Sequence, residues 1–143
     1  MSMEEKQNSQ TFLDFNQNIF KPSSREEIVE IVKICYKKNI PLEINGLKSK
    51  NKIGRNFQSE KTLDLSNYKG IIDYKPEELY IKVKSGTPIR EITDELDKNN
   101  QQLAFEPIDF GFLFKGSSDA GTIGGVVSSN FAGPRRFTRV VKK

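Results

Sequence analysis

Segments typical of helices and of strands alternate along this chain, and that alternation most constrains its fold. A capping box, Ser24 followed three residues later by Glu27, precedes apolar residues at helical spacing and predicts a helix over residues 24–38. Residues 40–44 and 62–65 are then typical of short strands. Since helix and strands alternate, the sequence predicts packed layers of helix and sheet, an α/β or α+β fold and not a helical bundle.

Two further segments extend this architecture. Residues 70–83 contain two apolar runs around the turn-forming residues 75–78, which predicts a β-hairpin. A second helix is expected to begin with Thr87 as its N-cap and Pro88 as its first residue, and to end near residues 99–100. The predicted core combines apolar residues of the strands and the helices: Leu42, Ile44, Leu63, Leu65, Ile71, Ile81 and Val83 with Ile28, Ile31, Val32, Ile89, Ile92 and Leu96.

The net charge of +4 is concentrated at the end of the chain. Five of the 23 basic residues lie in residues 134–143, which leaves 18 basic against 19 acidic residues in the rest of the 143-residue chain. We predict a polar lead-in (residues 1–21), one folded domain (22–136) and a basic tail (137–143). No basic groove with interleaved aromatic residues is visible, so a nucleic-acid partner is not expected.

The chain has no histidine and one cysteine, Cys35, which argues against a metal site and an internal disulfide. Cys35 lies on the apolar side of the first predicted helix and is interpreted as a small core residue. No apolar run is long enough for a signal peptide or a membrane span, so we expect a cytoplasmic protein without direct membrane insertion. Glu106 and Asp109 lack an orienting partner, and no catalytic residue is predicted.

Two segments could contact a phosphate. The first follows a predicted strand and comprises Asn45, Gly46, Leu47, Lys48, Ser49 and Lys50. Its backbone N–H groups, hydroxyl and lysine charge could hold an anion, although an ordinary exposed turn is the simpler interpretation. The second comprises Thr122, Ile123, Gly124, Gly125 and Val126, where a glycine pair precedes a run of small residues. It suits either a phosphate at a helix N-terminus or a tight packing turn.

In their order along the chain, these motifs resemble the FAD-binding subunits of glycolate oxidases over residues 22–136. The most specific matches are residues 70–79, residues 85–88 and the segment Ala132-Gly133-Pro134-Arg135-Arg136. These subunits belong to the flavoproteins whose FAD domain is named after p-cresol methylhydroxylase and vanillyl-alcohol oxidase. The resemblance implies an α+β fold: the first subdomain of such a domain, a small mixed sheet flanked by helices, and the start of the second.

The resemblance also implies where FAD is bound. It assigns the pyrophosphate loop to Gly46–Lys50 and a second flavin-contacting stretch to Thr122–Val126. The full implied set of cofactor-binding residues is Asn45, Gly46, Leu47, Lys48, Ser49, Lys50, Pro107, Thr122, Ile123, Gly124, Gly125 and Val126. FAD would be held non-covalently, because the chain has no histidine for a covalent link. The sequence departs from the wider group at Leu47 and Lys48, where many relatives have glycine. An aspartate in place of Gly124 is expected to abolish FAD binding.

The implied activity is that of a 2-hydroxy-acid oxidoreductase whose flavin accepts a hydride from the hydroxy acid. The implied partners are a second flavoprotein subunit and an iron-sulfur subunit, in a complex peripheral to the inner membrane. Relatives continue past the position of Arg136, so this chain is expected to lack much of the adenine and isoalloxazine pocket. The competing hypothesis is a truncated, non-catalytic remnant of the flavin domain that acts as a scaffold or binding module.

Overall fold

Helices and short strands alternate in the computed structural model, which describes residues 16–50, 52–53, 58–114, 121–130 and 133. The predicted basic tail and most of the Ala-Gly-Pro-Arg-Arg segment lie outside these residues. The strands are β1 (Ile19–Phe20), β2 (Leu42–Asn45), β3 (Lys61–Asp64), β4 (Ile71–Lys75) and β5 (Tyr80–Val83). The helices are α1 (Arg25–Lys37), α2 (Ile89–Asp97), α3 (Gly111–Phe114) and α4 (Ile123–Ser129). In this part of the chain, no helix is long and apolar enough to cross a bilayer.

Helix α1 begins where its capping residues predict. The Glu27 N–H donates to Ser24 Oγ at 3.2 Å, and the Glu27 carboxylate accepts from the Ser23 N–H at 2.8 Å. The helix buries Ile31 and Cys35, as predicted, and both belong to the main core cluster. Val32 was predicted in the core but is 42% exposed, because one helical step of about 100° turns it away from Ile31 toward solvent.

The strands β1, β3 and β2 form a parallel sheet in that order, with β3 in the centre. Leu63 of β3 packs with Phe20 of β1 against α1 in the core cluster. Phe20 is buried, so the folded part of the chain extends into the segment predicted as a lead-in. Ile44 was predicted in the core but is 64% exposed, because it lies near the carboxyl end of the edge strand β2.

The predicted hairpin is confirmed as the antiparallel pair β4–β5. By contrast, Thr87 does not cap α2, whose N-cap is Pro88. The Thr87 hydroxyl is fully buried, donates to the Lys84 carbonyl at 2.6 Å and accepts from the Gly70 N–H at 2.9 Å. These two bonds therefore hold the residues just before α2 against the base of the β4–β5 hairpin. Helix α2 buries Ile89, Ile92 and Leu96, as predicted.

Asp64, at the end of β3, contacts both Lys21, which follows β1, and Ser66, in the turn that follows β3. Its carboxylate accepts from the Ser66 N–H at 3.0 Å and lies 3.7 Å from Lys21 Nζ. The Ser66 bond starts a 3-10 turn at Leu65, so Leu65 leaves the strand in which it was predicted. Burial raises the pKa of Asp64, but the hydrogen bonds from Ser66 and the charges of Lys21 and Lys48 together bring it below its ordinary value.

Because the pKa of Asp64 is lower in the folded than in the unfolded chain, its ionised form stabilises the fold. This stabilisation is complete above the unfolded pKa and is lost as pH falls through the folded one. We expect the free energy of unfolding of the parent chain to fall more steeply than that of Asp64→Asn between about pH 5 and pH 3. Urea denaturation at each pH measures both curves, and parallel curves would contradict this role for Asp64.

Candidate functional site

A cleft of about 550 Å³ lies at the carboxyl end of β2. One wall is the end of β2 with the loop that follows it: Glu43, Ile44, Asn45, Gly46, Leu47, Lys48, Ser49, Lys50 and Ile53. The other wall is α4 with its N-cap: Thr122, Gly125, Ser128 and Ser129. Crevices outside the carboxyl ends of parallel strands are common ligand sites, because the loops there converge while the strands hold them in place.

Buried polar side chains are concentrated at this cleft. Asn45, Ser49 and Thr122 line it and are 8%, 6% and 4% exposed. Within the described part of the chain, the Asn45 side-chain amide nitrogen is buried and has no hydrogen-bond partner. An unsatisfied buried donor of this kind costs about 1–3 kcal/mol. A ligand oxygen in the cleft would remove that cost, so Asn45 fits a site for an acceptor-rich ligand.

Two glycines let the walls approach closely. A Cβ on Gly46 would lie only 2.6 Å from Thr122 Oγ1, so any side chain there would push the loop away from the α4 wall. Gly121 has φ of +78°, in the region that favours glycine, and a Cβ there would collide with Ser49 Oγ. The narrow contact between the loop and the α4 wall therefore depends on both residues being glycine.

The α4 wall is anchored on the segment that leads from β5 to α2. The Ile123 N–H donates to the Thr87 carbonyl and the Gly124 N–H to the Ser85 carbonyl, each at 2.9 Å. A Cβ on Gly124 would lie 2.8 Å from that Ser85 oxygen. The Gly125 N–H donates to the capping hydroxyl of Thr122 at 3.3 Å.

These three N–H groups at the start of α4 thus already have protein partners. They are therefore less available to a phosphate, while the flavin contact implied for Thr122–Val126 stays a prediction. Around Gly124 the structure instead has the alternative raised by the sequence, a tight packing turn. Gly125 differs from its neighbour because it lines the cleft, and a Cβ there would make only an ordinary contact of 3.4 Å with Thr122 Oγ1.

Two lysines bring positive charge to the cleft. Lys48 has φ of +56°, in the left-handed region that glycine adopts more readily than any other residue. The Lys50 Nζ is buried and lies 5.7 Å from the centroid of the Phe110 ring. Together with the Asn45 amide, these groups give the loop wall the character of an anion site.

The structure brings together eight of the twelve predicted cofactor-binding residues: Asn45, Gly46, Leu47, Lys48, Ser49, Lys50, Thr122 and Gly125. Pro107, Ile123, Gly124 and Val126 do not line the cleft, and Val126 is buried in the protein interior. Five residues that line the cleft were not predicted from the sequence: Glu43, Ile44, Ile53, Ser128 and Ser129. Ser128 and Ser129 could have been found, since they follow Gly125 by three and four residues and so share its helix face.

A comparison with known protein families identifies the family of this chain and a ligand that suits the cleft. The family model described as "FAD binding domain" matches residues 17–141. The chain belongs to this family. FAD is therefore its cofactor, as predicted, and the fold prediction is confirmed. The residues of the cleft fit the diphosphate part of FAD, because a buried amide donor and two lysines face the same space.

One glycolate oxidase subunit and two solved structures are also similar to this chain. Glycolate oxidase subunit GlcE of Escherichia coli strain K12 is 35% identical over 111 residues, which cover 78% of this chain and 29% of that protein. Two solved structures of alkyldihydroxyacetonephosphate synthase match with TM-scores of 0.55 and 0.56 at 19% identity. They cover 76% and 77% of this chain, and it covers 21% and 20% of theirs. This structural likeness concerns the fold alone.

Proposed function

We propose that the cleft at the end of β2 binds the diphosphate of FAD, and that the chain is the FAD-binding part of a glycolate oxidase-like subunit. The observation that carries the proposal is the buried Asn45 amide without a hydrogen-bond partner, in a cleft that also holds Lys48 and Lys50. The similarity to the glycolate oxidase subunit, which is 35% identical over 78% of this chain, supports the choice of oxidoreductase class.

The residues of the loop wall have distinct roles in this proposal. Asn45 would donate a side-chain amide N–H to a phosphate oxygen, and the two lysines would balance the negative charge. Gly46 would keep the loop close to Thr122 and so fix the width of the cleft. The predicted contacts of Pro107, Ile123, Gly124 and Val126 are not part of the proposal, because these residues lie outside the cleft lining.

Within the whole protein, bound FAD would supply the redox chemistry by accepting a hydride from a 2-hydroxy acid. This chain would supply position and charge compensation, without a catalytic acid or base of its own. We further propose that it works beside a second flavoprotein subunit and an iron-sulfur subunit, in a complex peripheral to the inner membrane. The support is that its relative is itself named as one subunit of glycolate oxidase.

Titration of the 143-residue chain with FAD, followed by flavin fluorescence or equilibrium dialysis, tests the proposal. Since the proposal places only the diphosphate of FAD in the cleft, we expect a colourless purified protein and saturable binding with a Kd in the micromolar range or weaker. Inorganic pyrophosphate should compete with FAD, whereas riboflavin, which has no phosphate, should compete much less. Absence of saturable FAD binding would favour the scaffold hypothesis, and equal competition by riboflavin would contradict a diphosphate site.

A further inference from the structure

Helix α1 carries a stripe of apolar side chains on the side that faces solvent. Val29, Val32 and Tyr36 are 39%, 42% and 85% exposed. They are separated by three and four residues, so they lie on one side of the helix. Single exposed apolar residues need no explanation, but three aligned ones form a seam of the kind that pairs with another helix. Helix α1 therefore presents apolar side chains both to the core and to solvent.

The two valines of this apolar stripe lower the helix propensity of α1. A β-branched side chain loses rotamer freedom in a helix, so valine forms helices less readily than alanine, lysine or glutamate. Packing offsets this loss at buried positions such as Ile31, but Val29 and Val32 are exposed. A partner that covered the stripe would bury both valines.

The charged residues beside the stripe are segregated along the helix. One flank carries two acids in its first half and two bases in its second half: Glu26, Glu30, Lys33 and Lys37. All four lie within about 100° of Val29 around the helix axis, on the side away from Val32. This order matches the helix dipole. Because it lies beside an apolar seam, it also makes the charged flank complementary to its own reverse.

A second copy of this chain fits both the stripe and the charged flank. In an antiparallel pair of α1 helices related by a two-fold axis, each stripe faces the other stripe and each flank faces the same flank reversed. The acidic half of one flank then meets the basic half of the other. An anionic membrane surface fits less well, because the flank holds as many acids as bases.

We infer that the solvent-facing side of α1 is a self-association surface, through which two copies of this chain pair with their α1 helices antiparallel. The 13-residue helix is about 20 Å long, so the pair would bury less than the roughly 800 Å² per partner of a standard interface. The dimer is therefore weak and reversible, with an expected Kd of about 10–100 µM. Sedimentation velocity of the 143-residue chain from roughly 2 to 500 µM measures it.

Two double variants test the charged flank. The acidic variant combines Lys33→Glu with Lys37→Glu, and the basic variant combines Glu26→Lys with Glu30→Lys. Each alone should stay monomeric over the whole concentration range, because like charges would face each other across the two-fold axis. An equimolar mixture of the two should form a heterodimer at least as tight as the parent dimer. Melting curves verify folding, since both variants also oppose the helix dipole.

Val32→Ala tests the apolar stripe without a cost to folding. Alanine is the better helix former, so the melting temperature should not fall. The dimer should nevertheless weaken at least about fivefold, because each substitution removes apolar contact twice in a two-fold interface. The matched control is Val127→Ala, since Val127 is also exposed in a helix, α4, and is not part of the stripe. Its dimer Kd should equal that of the parent.

Three results would overturn the self-association of α1. The first is a parent chain that stays monomeric up to the highest concentration, which would leave the stripe to a partner of another kind. The second is a mixture of folded acidic and basic variants that sediments as separate monomers. The third is a Val32→Ala dimer as tight as that of the parent or of Val127→Ala.

Discussion

Replacing Gly86 by alanine is expected to lower the free energy of unfolding by roughly 2–4 kcal/mol, among the largest losses available to a single methyl group. A Cβ at this position would collide with the Leu65 carbonyl and lie 2.6 Å from the Tyr68 carbonyl. Both atoms are backbone, so no side-chain rotation can relieve the contact. The Gly86 N–H also donates to the Tyr68 carbonyl at 2.9 Å, a bond that a displaced chain would lose.

Gly125→Ala is the matched control, because it adds the same methyl group at another glycine of the same domain. Its Cβ would have only an ordinary contact of 3.4 Å, and the residue lies inside α4. Alanine should therefore stabilise the chain slightly, by at most about 1 kcal/mol from helix propensity. Urea denaturation monitored by circular dichroism compares the three chains. Equal urea midpoints for Gly86→Ala and the parent chain would contradict the close contact of Gly86 with the Leu65 and Tyr68 carbonyls.

The close packing of Gly86 also affects the position of one wall of the cleft. Gly86 lies between Ser85 and Thr87, whose carbonyls accept the N–H groups of Gly124 and Ile123. Displacing this segment would move the first turn of α4, and with it the wall that faces Asn45. The cleft is thus positioned by packing on the far side of α4 as well as by its own lining residues.

Local sequence signals predicted the local structure of this chain well. The Ser24 and Glu27 pair located the start of α1, since a capping box acts within a few residues. The proline and acidic residues at 76–78 located the hairpin turn in the same way. Of the loop wall, the stretch from Asn45 to Lys50 was also predicted from the sequence, because it follows the end of a strand without interruption.

Features that depend on distant contacts were not predictable from local patterns. Thr87 has the sequence context of an N-cap, yet its hydroxyl bonds to Gly70, which lies 17 residues away. The two adjacent glycines, Gly124 and Gly125, look alike in sequence but face different neighbours, Ser85 and the cleft respectively. Only the packing of α4 determines which of them can affect a ligand.

This difference makes Gly125, and not Gly124, the residue with which to test the cleft. We expect Gly125→Asp to weaken FAD binding by at least roughly 100-fold. The carboxylate would occupy the space of the diphosphate, and it would neutralise the lysine charges that otherwise attract the phosphates. The variant should still fold, since an acidic residue in the first turn of a helix is favourable. Gly124→Asp would also weaken binding, but through the clash with Ser85, so it cannot locate the ligand.

Val127→Asp provides the control for charge on the same helix. Val127 is 67% exposed and does not line the cleft, so an aspartate there adds the same charge two residues away without entering the site. Its FAD affinity should stay within about twofold of the parent, because a charge on an exposed side chain acts through water, whose high dielectric constant weakens it. Titrations of the three chains at equal ionic strength, with melting curves to verify folding, make the comparison. If both variants lose affinity equally, or if Gly125→Asp folds and binds FAD like the parent, the diphosphate does not lie between α4 and the Asn45–Lys50 loop.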